Sequence, residues 1–139
     1  MVGLEAAIPG HASEKDWARR LQSWLGRRGF SFEAEGEATR IRLENGVYVE
    51  VSEASGGDGF EVVVTVPLPV TAEEASMAES VREGLGIALS LGVRLRYELD
   101  DSMPDYPLLR VIAPYRDPYK LVDKLIEVLE PLSPAGRSD

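Results

Sequence analysis

The sequence predicts a single α+β domain in which helices pack on a largely antiparallel sheet. Three segments repeat apolar residues with helical spacing, and six short runs alternate apolar with polar residues. No glycine-rich turn joins a strand to a helix, as a doubly wound parallel sheet would require. The predicted order is α-β-β-β-β-α-β-β-α, and a chain of 139 residues suits one domain of this class.

The first helix is predicted over residues 14–28, after a flexible arm at residues 1–12. Ser13 has the character of an N-cap residue, and an apolar stripe follows it at helical spacing. That stripe consists of Trp17, Leu21, Trp24 and Leu25. Both tryptophans are expected to anchor the core, the alternative being a platform for a ligand, and Trp24 is also a candidate interface residue.

Four predicted strands follow as an antiparallel meander with one apolar and one charged face. Their alternating sets begin at Phe30, Thr39, Val47 and Phe60. Asn45-Gly46 predicts a tight hairpin, because both central positions of a type I′ turn need a positive φ. Gly36-Glu37 predicts another turn, and residues 53–59 form a flexible connection. Pro67 ends the fourth strand.

A second helix is predicted over residues 72–90, starting from a capping box formed by Thr71 and Glu74. Gly84 and Gly86 are unusual there, since a helix-interior glycine costs up to about 1 kcal/mol relative to alanine. The small residues of this helix would let another backbone approach closely. The helix therefore either lies flat on the sheet or crosses a second helix at a dimer interface.

Two further strands and a helix complete the domain. The strands are predicted at residues 93–99 and about 108–113. Asp117 caps the last helix and Pro118 occupies its first position. The domain is expected to end at residue 131, and residues 132–139 are expected to form a disordered tail.

Composition excludes several function classes. Fifteen Lys+Arg against 24 Asp+Glu give a net charge of -9, which argues against nucleic acid or an anionic membrane as a partner. There is no cysteine, which excludes thiol catalysis and thiolate metal sites. The single histidine, His11, excludes histidine-rich metal sites and most catalytic triads. We expect a cytoplasmic protein without a cofactor.

An acidic loop is the most conspicuous cluster of titratable groups. Asp100, Asp101 and Asp105, with Ser102 nearby, could offer oxygen ligands to a divalent cation. Their spacing does not match a calcium-binding loop, and Asp and Pro also favour a solvated hairpin tip. The enzymatic interpretation is a small-ligand- or metal-dependent enzyme that uses this loop. A metal that binds there would raise the thermal midpoint of unfolding.

Glutamates on the first hairpin could serve acid–base chemistry. Glu33, Glu35 and Glu37 alternate there, and Glu50 could join them. The alternative is that they form the solvated face of the sheet or protect an edge strand.

Four arginines could form an anion-binding stripe if two predicted strands are neighbours. They are Arg40, Arg42, Arg94 and Arg96. The alternative is that each pairs across strands with a glutamate, at about 0.2–1 kcal/mol per pair.

The predicted order of helix, meander, helix, two strands and helix, over about residues 13–130, resembles the type III secretion chaperone-like fold, including its YbjN-like branch. The strand at residues 60–66 fits as a long bent hairpin arm. Members of that fold are typically small, acidic, homodimeric and non-enzymatic, and they bind polypeptide segments. The resemblance concerns element order, and it implies these properties for the present chain without assigning residues.

The function expected from the sequence is a non-enzymatic protein-binding module that acts as a homodimer and binds an unidentified protein. Tyr115 and Tyr119 flank the cap of the last helix, in a polar and aromatic segment of the kind enriched at interfaces. The candidate interface residues are Trp24, Gly84, Ala88, Tyr115 and Tyr119.

Overall fold

The computed structural model describes residues 9–35, 38–54, 59–92 and 94–134. It confirms the α+β class and the predicted order of elements. In chain order the elements are α1 (Pro9–Arg27), β1 (Ser31–Glu35), β2 (Ala38–Arg42), β3 (Tyr48–Glu53), β4 (Phe60–Pro67), α2 (Glu74–Leu91), β5 (Arg96–Asp100), β6 (Leu108–Tyr115), α3 (Pro118–Leu129) and a 3₁₀ turn (Glu130–Leu132).

All six strands join one antiparallel sheet, in the order β1-β2-β3-β4-β6-β5. The first four strands form the predicted meander. The last two form a hairpin that docks through β6, so that β6 lies between β4 and β5. The edges of the sheet are therefore β1 and β5, and β2 is separated from β5 by three strands.

The core lies between the sheet and the three helices, on one face of the sheet. Val49 pairs with Val64, which in turn pairs with Val111, so these three valines lie side by side on one face of the sheet. Every second residue along each strand points to this same face. The fully buried aliphatic side chains of the strands are Ile41, Val49, Val51, Val62, Val64, Val66 and Val111, and Val47 just before β3 is also fully buried. The period-two pattern thus predicted which face is buried, because only one face meets the helices.

The helix α1 covers β1 and β2 and also contacts α3. Trp17 packs edge-on against Phe60 with ring centroids 5.2 Å apart, and Trp24 lies against Phe30 at 5.6 Å. Both tryptophans are buried, so their role as core anchors is confirmed. The helix begins at Pro9, before the expected N-cap Ser13, so residues 9–12 of the expected arm are helical. Residues 1–8 lie outside the described residues.

The helix α2 lies directly on β4 and β6. A Cβ atom on Gly84 would overlap the Cγ2 atom of Val66, so the helix backbone sits close above that strand. This confirms that the small residues let the helix lie flat on the sheet. The predicted capping box is wrong, because α2 begins at Glu74 and its N-cap, Glu73, makes no side-chain capping hydrogen bond.

The cap of α3 forms as predicted. The Asp117 carboxylate accepts a hydrogen bond from the backbone N–H of Tyr119 at 2.9 Å, and Pro118 follows the cap. After α3, the buried Ser133 donates its hydroxyl to the carbonyl of Arg28 at 3.1 Å. The packed domain thus continues past residue 131, and residues 135–139 of the expected tail lie outside the described residues.

The structure can be compared with the predicted turns where the residues are described. Gly46 has φ +85°, and the N–H of Leu43 donates to the carbonyl of Val47 at 2.9 Å, which confirms the Asn45-Gly46 hairpin. The expected turn at residues 36–37, residues 55–58 of the expected connection, and Val93 lie outside the described residues. Among the helices described, none is long and apolar enough to cross a membrane.

Candidate interaction surface

The edge strand β5 places apolar side chains on the helix-facing side of the sheet. Tyr97 pairs with Val111 and Leu99 pairs with Leu109, so both lie on the face that carries the core. Arg96, Glu98 and Asp100 alternate with them and lie on the opposite face. Only β6 pairs with β5 in the described chain, so the other edge of β5 is open.

None of the helices described, α1 to α3, covers the apolar side chains of β5. The helix α2 ends over β6, where a Cβ atom on Gly92 would lie 3.1 Å from the Cβ atom of Ala113. Tyr97 is therefore 54% exposed and Leu99 is 62% exposed, although both lie on the core face. Their pattern in the sequence is that of a buried strand, and their exposure follows from the position of β5 at the edge.

Other exposed apolar side chains lie on segments connected to β5. In the described part of the chain, the large hydrophobic residues that are most exposed are Val70, Leu89, Tyr97, Leu99, Met103 and Tyr106. Leu89 lies one helical turn before Gly92, which lies close to Leu95 just before β5. We call this set of six the β5-side surface.

Hydrogen bonds connect the two loops of the β5-side surface. The N–H of Leu68 donates to the carbonyl of Pro107 at 2.8 Å, and the N–H of Val70 donates to the carbonyl of Asp105 at 3.1 Å. The segment after β4 is thereby joined to the loop between β5 and β6. Val70, Met103 and Tyr106 consequently belong to the same end of the surface.

The opposite edge of the sheet is built differently. The helix α1 packs over β1, and Phe32 of that strand is partly buried against the core. The exposed residues Glu33 and Glu35 lie on its outer face. Charged residues on a covered edge strand discourage pairing with another chain. Of the two edges, β5 is therefore the one that carries large uncovered apolar side chains.

The acidic loop is organised by hydrogen bonds within the chain. One carboxylate oxygen of Asp100 accepts from the N–H and the hydroxyl of Ser102, at 3.0 and 2.7 Å. The other lies 3.0 Å from the guanidinium of Arg110. The bonds from Ser102, followed by those from Arg110, hold the pKa of Asp100 below its usual value of 3.8. Asp101 and Asp105 are exposed.

This arrangement is that of a structured hairpin tip. Within residues 9–134, as far as they are described, no three side chains of His, Cys, Asp or Glu come close enough together to hold a metal ion. Both oxygens of Asp100 already have partners within the chain, and the geometry of the loop gives no support to the metal-dependent interpretation.

The arginines and glutamates of the outer face pair with each other. Salt bridges join Arg42 to Glu33 at 3.1 Å and Arg40 to Glu50 at 3.3 Å. Glu35 is exposed on β1 and Glu37 lies outside the described residues. These pairs are the cross-strand partners that the alternative interpretation predicts.

The expected basic stripe does not form. Arg40 and Arg42 lie on β2, whereas Arg96 lies on β5, and three strands separate them. Arg96 instead lies 3.6 Å from Glu98 of its own strand, and Arg94 is exposed just before β5. The alternation in the sequence correctly predicted that the arginines of β2 and β5 lie on the outer face of the sheet. It could not predict that these two strands are not neighbours.

The five candidate interface residues lie mostly inside the fold. Trp24, Gly84 and Ala88 are buried in the core of the chain itself, so they are not accessible to a partner. Tyr115 is partly buried, donates its hydroxyl to the carbonyl of Leu91, and has its pKa raised by burial. Tyr119 is also partly buried and packs against the core.

A cleft of about 830 Å³ lies on the other flank of α2, near the turn between β2 and β3. Its wall combines the apolar side chains of Phe30, Leu43 and Leu132 with charged residues of both signs. Those charged residues are Arg42, Glu44, Glu79, Arg82 and Glu83. The mixture does not specify one kind of ligand.

The β5-side surface includes two tyrosines and a methionine, which are residue types enriched at protein interfaces. No protein-family model, curated protein or solved structure matches the chain. The geometry of this surface is therefore the basis for a proposal about function.

Proposed function

We propose that the chain is a non-enzymatic protein-binding module that works as a homodimer through its β5-side surface. The observation that carries the proposal is that the most exposed large hydrophobic side chains of the described chain lie on β5 and on the segments that adjoin it or are hydrogen-bonded to its loop. Contiguous exposed apolar patches are uncommon on monomeric proteins and typically mark interaction sites. A second copy is the partner that this surface fits best.

Docking of a second copy would pair the open backbone edge of β5 and cover its exposed apolar side chains at the same time. The open edge of β5 needs partners for its backbone N–H and C=O groups. Tyr97 and Leu99 need apolar cover on the helix-facing side. A strand from a second copy supplies both, since its own apolar side chains lie on the corresponding face.

Charge also favours an interface at β5. Each copy carries a net charge of -9, so two copies repel unless the contact region is locally balanced. Arg96 lies beside Glu98 on β5, and Arg110 binds Asp100 at its end. The β5 edge thus carries charges of both signs. A homodimer is also what the resemblance to the type III secretion chaperone-like fold implies.

Sedimentation equilibrium at tens of micromolar protein tests the proposal directly. We expect a species of twice the 15.2 kDa chain mass. Leu99→Asp should shift the protein towards the monomer, because docking would bury an unpaired carboxylate. The substitution should leave the fold intact, since Leu99 is 62% exposed in a single chain.

Ala34→Asp provides a matched control on the other edge strand. Ala34 lies on β1, is exposed, and shares the helix-facing side of the sheet with Leu99. This variant should retain the mass of the wild type. A wild-type chain that sediments as a monomer at these concentrations would contradict the proposed function.

A further inference from the structure

We infer that β5 of one copy pairs with β5 of a second copy in an antiparallel register centred on Tyr97. This inference rests on the proposed homodimer and specifies how the two copies recognise each other. Strand pairing across a twofold axis is self-complementary, so each contact made by one copy is repeated by the other. The charge order of the strand determines the register.

The sequence around β5 is complementary to itself when it is reversed. Residues 94–100 read Arg-Leu-Arg-Tyr-Glu-Leu-Asp, with two basic residues before Tyr97 and two acidic residues at the mirrored positions after it. In the antiparallel register centred on Tyr97, Arg96 lies opposite the partner's Glu98. Arg94 likewise lies opposite the partner's Asp100. Each charged position thus faces a charge of the other sign.

Neighbouring registers lose this match. A register centred on Glu98 places two glutamates opposite each other, and one centred on Arg96 does the same with two arginines. A shift by a single residue places Tyr97 opposite a charged side chain and turns the apolar face of one copy to the wrong side. The register centred on Tyr97 is the one that keeps both the charges and the faces aligned.

The charged side chains that this register requires are accessible. Arg96 and Glu98 are 62% and 51% exposed, and they lie 3.6 Å apart on the same face of β5. Adjacent strands lie about 4.8 Å apart. Pairing therefore brings two arginines and two glutamates into a ring of alternating charge around the twofold axis. Asp100 already binds Arg110 at 3.0 Å, so its pair with Arg94 extends an existing ion pair.

The helix-facing side of the same register is apolar. Tyr97 lies opposite the partner's Tyr97, and Leu99 lies opposite the partner's Leu95. Leu95 is partly buried against the core and lies beside Gly92 at the end of α2. Leu89 of α2, one helical turn before Gly92, is 63% exposed. The two sheets would become one continuous twelve-stranded sheet with the helices of both copies on one face.

Charge-swap variants test the register. Arg96→Glu and Glu98→Arg should each raise the dimer dissociation constant by about tenfold to a hundredfold, because each replaces attractive contacts by repulsive ones on both sides of the axis. Mixing the two variants should restore a dimer, since every contact in the 1:1 heterodimer is again between opposite charges. The double variant R96E/E98R should restore the homodimer for the same reason. Sedimentation equilibrium and native mass spectrometry measure both outcomes.

Glu35→Arg is the matched control for Glu98→Arg, because it makes the same change of charge at an exposed position of the other edge strand, β1. Its dimer dissociation constant should equal that of the wild type. Restoration in the mixture requires both variants to be folded, so it also controls for misfolding. A wild-type dimer that the swaps leave unchanged, or that the mixture fails to restore, would overturn this register but leave the proposed function standing. A monomeric wild type would overturn both.

Discussion

Gly84 of α2 lies so close to Val66 of β4 that a Cβ atom on the glycine would overlap the Cγ2 atom of the valine. Val66 is fully buried and branched at Cβ, so its methyl group has little room to move. The glycine, which weakens a helix, is therefore what allows α2 to rest on the sheet.

Gly84→Ala should lower the free energy of unfolding by about 1–3 kcal/mol, because the added methyl group overpacks the contact with Val66. Gly86→Ala is the matched control, since Gly86 lies in the same helix with nothing within 4 Å of its Cβ position. That variant should gain up to about 1 kcal/mol from helix propensity. Urea unfolding followed by circular dichroism measures both changes. Equal effects in the two variants would contradict the close contact.

Asp117→Ala should destabilise the protein by about 0.5–2 kcal/mol, because it removes the side chain that caps the first turn of α3. The lost bond is the one that the Asp117 carboxylate accepts from the N–H of Tyr119. Asp117→Ser retains an N-cap acceptor and should keep most of the stability. Thermal unfolding by calorimetry compares the variants, and a serine variant as unstable as the alanine variant would exclude capping as the cause.

Asp100→Asn should reduce stability at neutral pH and make it less sensitive to acid. The folded-state pKa of Asp100 lies below the ordinary value of 3.8, first because of the bonds from Ser102 and then because of Arg110. A lowered folded-state pKa contributes stability above 3.8 that is lost as the pH falls through the folded-state value. The variant and the wild type should therefore converge in acid. Asp101→Asn is the control, and urea unfolding across this pH range is the measurement.

Tyr115→Phe should cost about 0.5–1.5 kcal/mol at neutral pH, because the carbonyl of Leu91 loses its hydrogen-bond donor. Burial raises the pKa of Tyr115 above 10.0, so the stability that its neutral form contributes is present below pH 10.0 and is lost as the pH rises through the folded-state pKa. The variant should consequently lose less stability in alkali than the wild type does.

Tyr106→Phe is the control for this titration, because Tyr106 is 45% exposed. Ultraviolet titration of tyrosinate should show that Tyr115→Phe removes a group that ionises above pH 10.0. If Tyr106→Phe removed that late-ionising group instead, burial of Tyr115 would not be the cause.

Local chemistry made much of the fold predictable from the sequence. The hairpin at Asn45-Gly46 and the cap at Asp117 depend on residues adjacent in the chain, and both form as expected. The apolar stripes identified the buried faces of the helices and strands. The start of α2 was less predictable, because Thr71 and Glu74 have the spacing of a capping box but the chain turns there before the helix begins.

The candidate surface could not be predicted in this way. Tyr97 and Leu99 alternate with charged residues as Val62 and Val64 alternate with their neighbours, yet the first pair is exposed and the second is fully buried. The difference arises because β6 inserts between β4 and β5, a pairing between distant parts of the chain. The self-complementary order of residues 94–100 is visible in the sequence. It indicates pairing with a second copy only once β5 is known to be an edge strand.

The insertion of β6 between β4 and β5 also determines when the sheet can be completed during synthesis. The strand β4 finds its second neighbour only when residues 108–115 have been synthesised, since Phe60 pairs with Tyr115 and Pro67 with Leu108. Until then a nascent chain leaving the ribosome carries an open β4 edge, even though α2 has already been synthesised. Closure of the sheet is thus a late event of high contact order, and a chain truncated before β6 retains that exposed edge permanently.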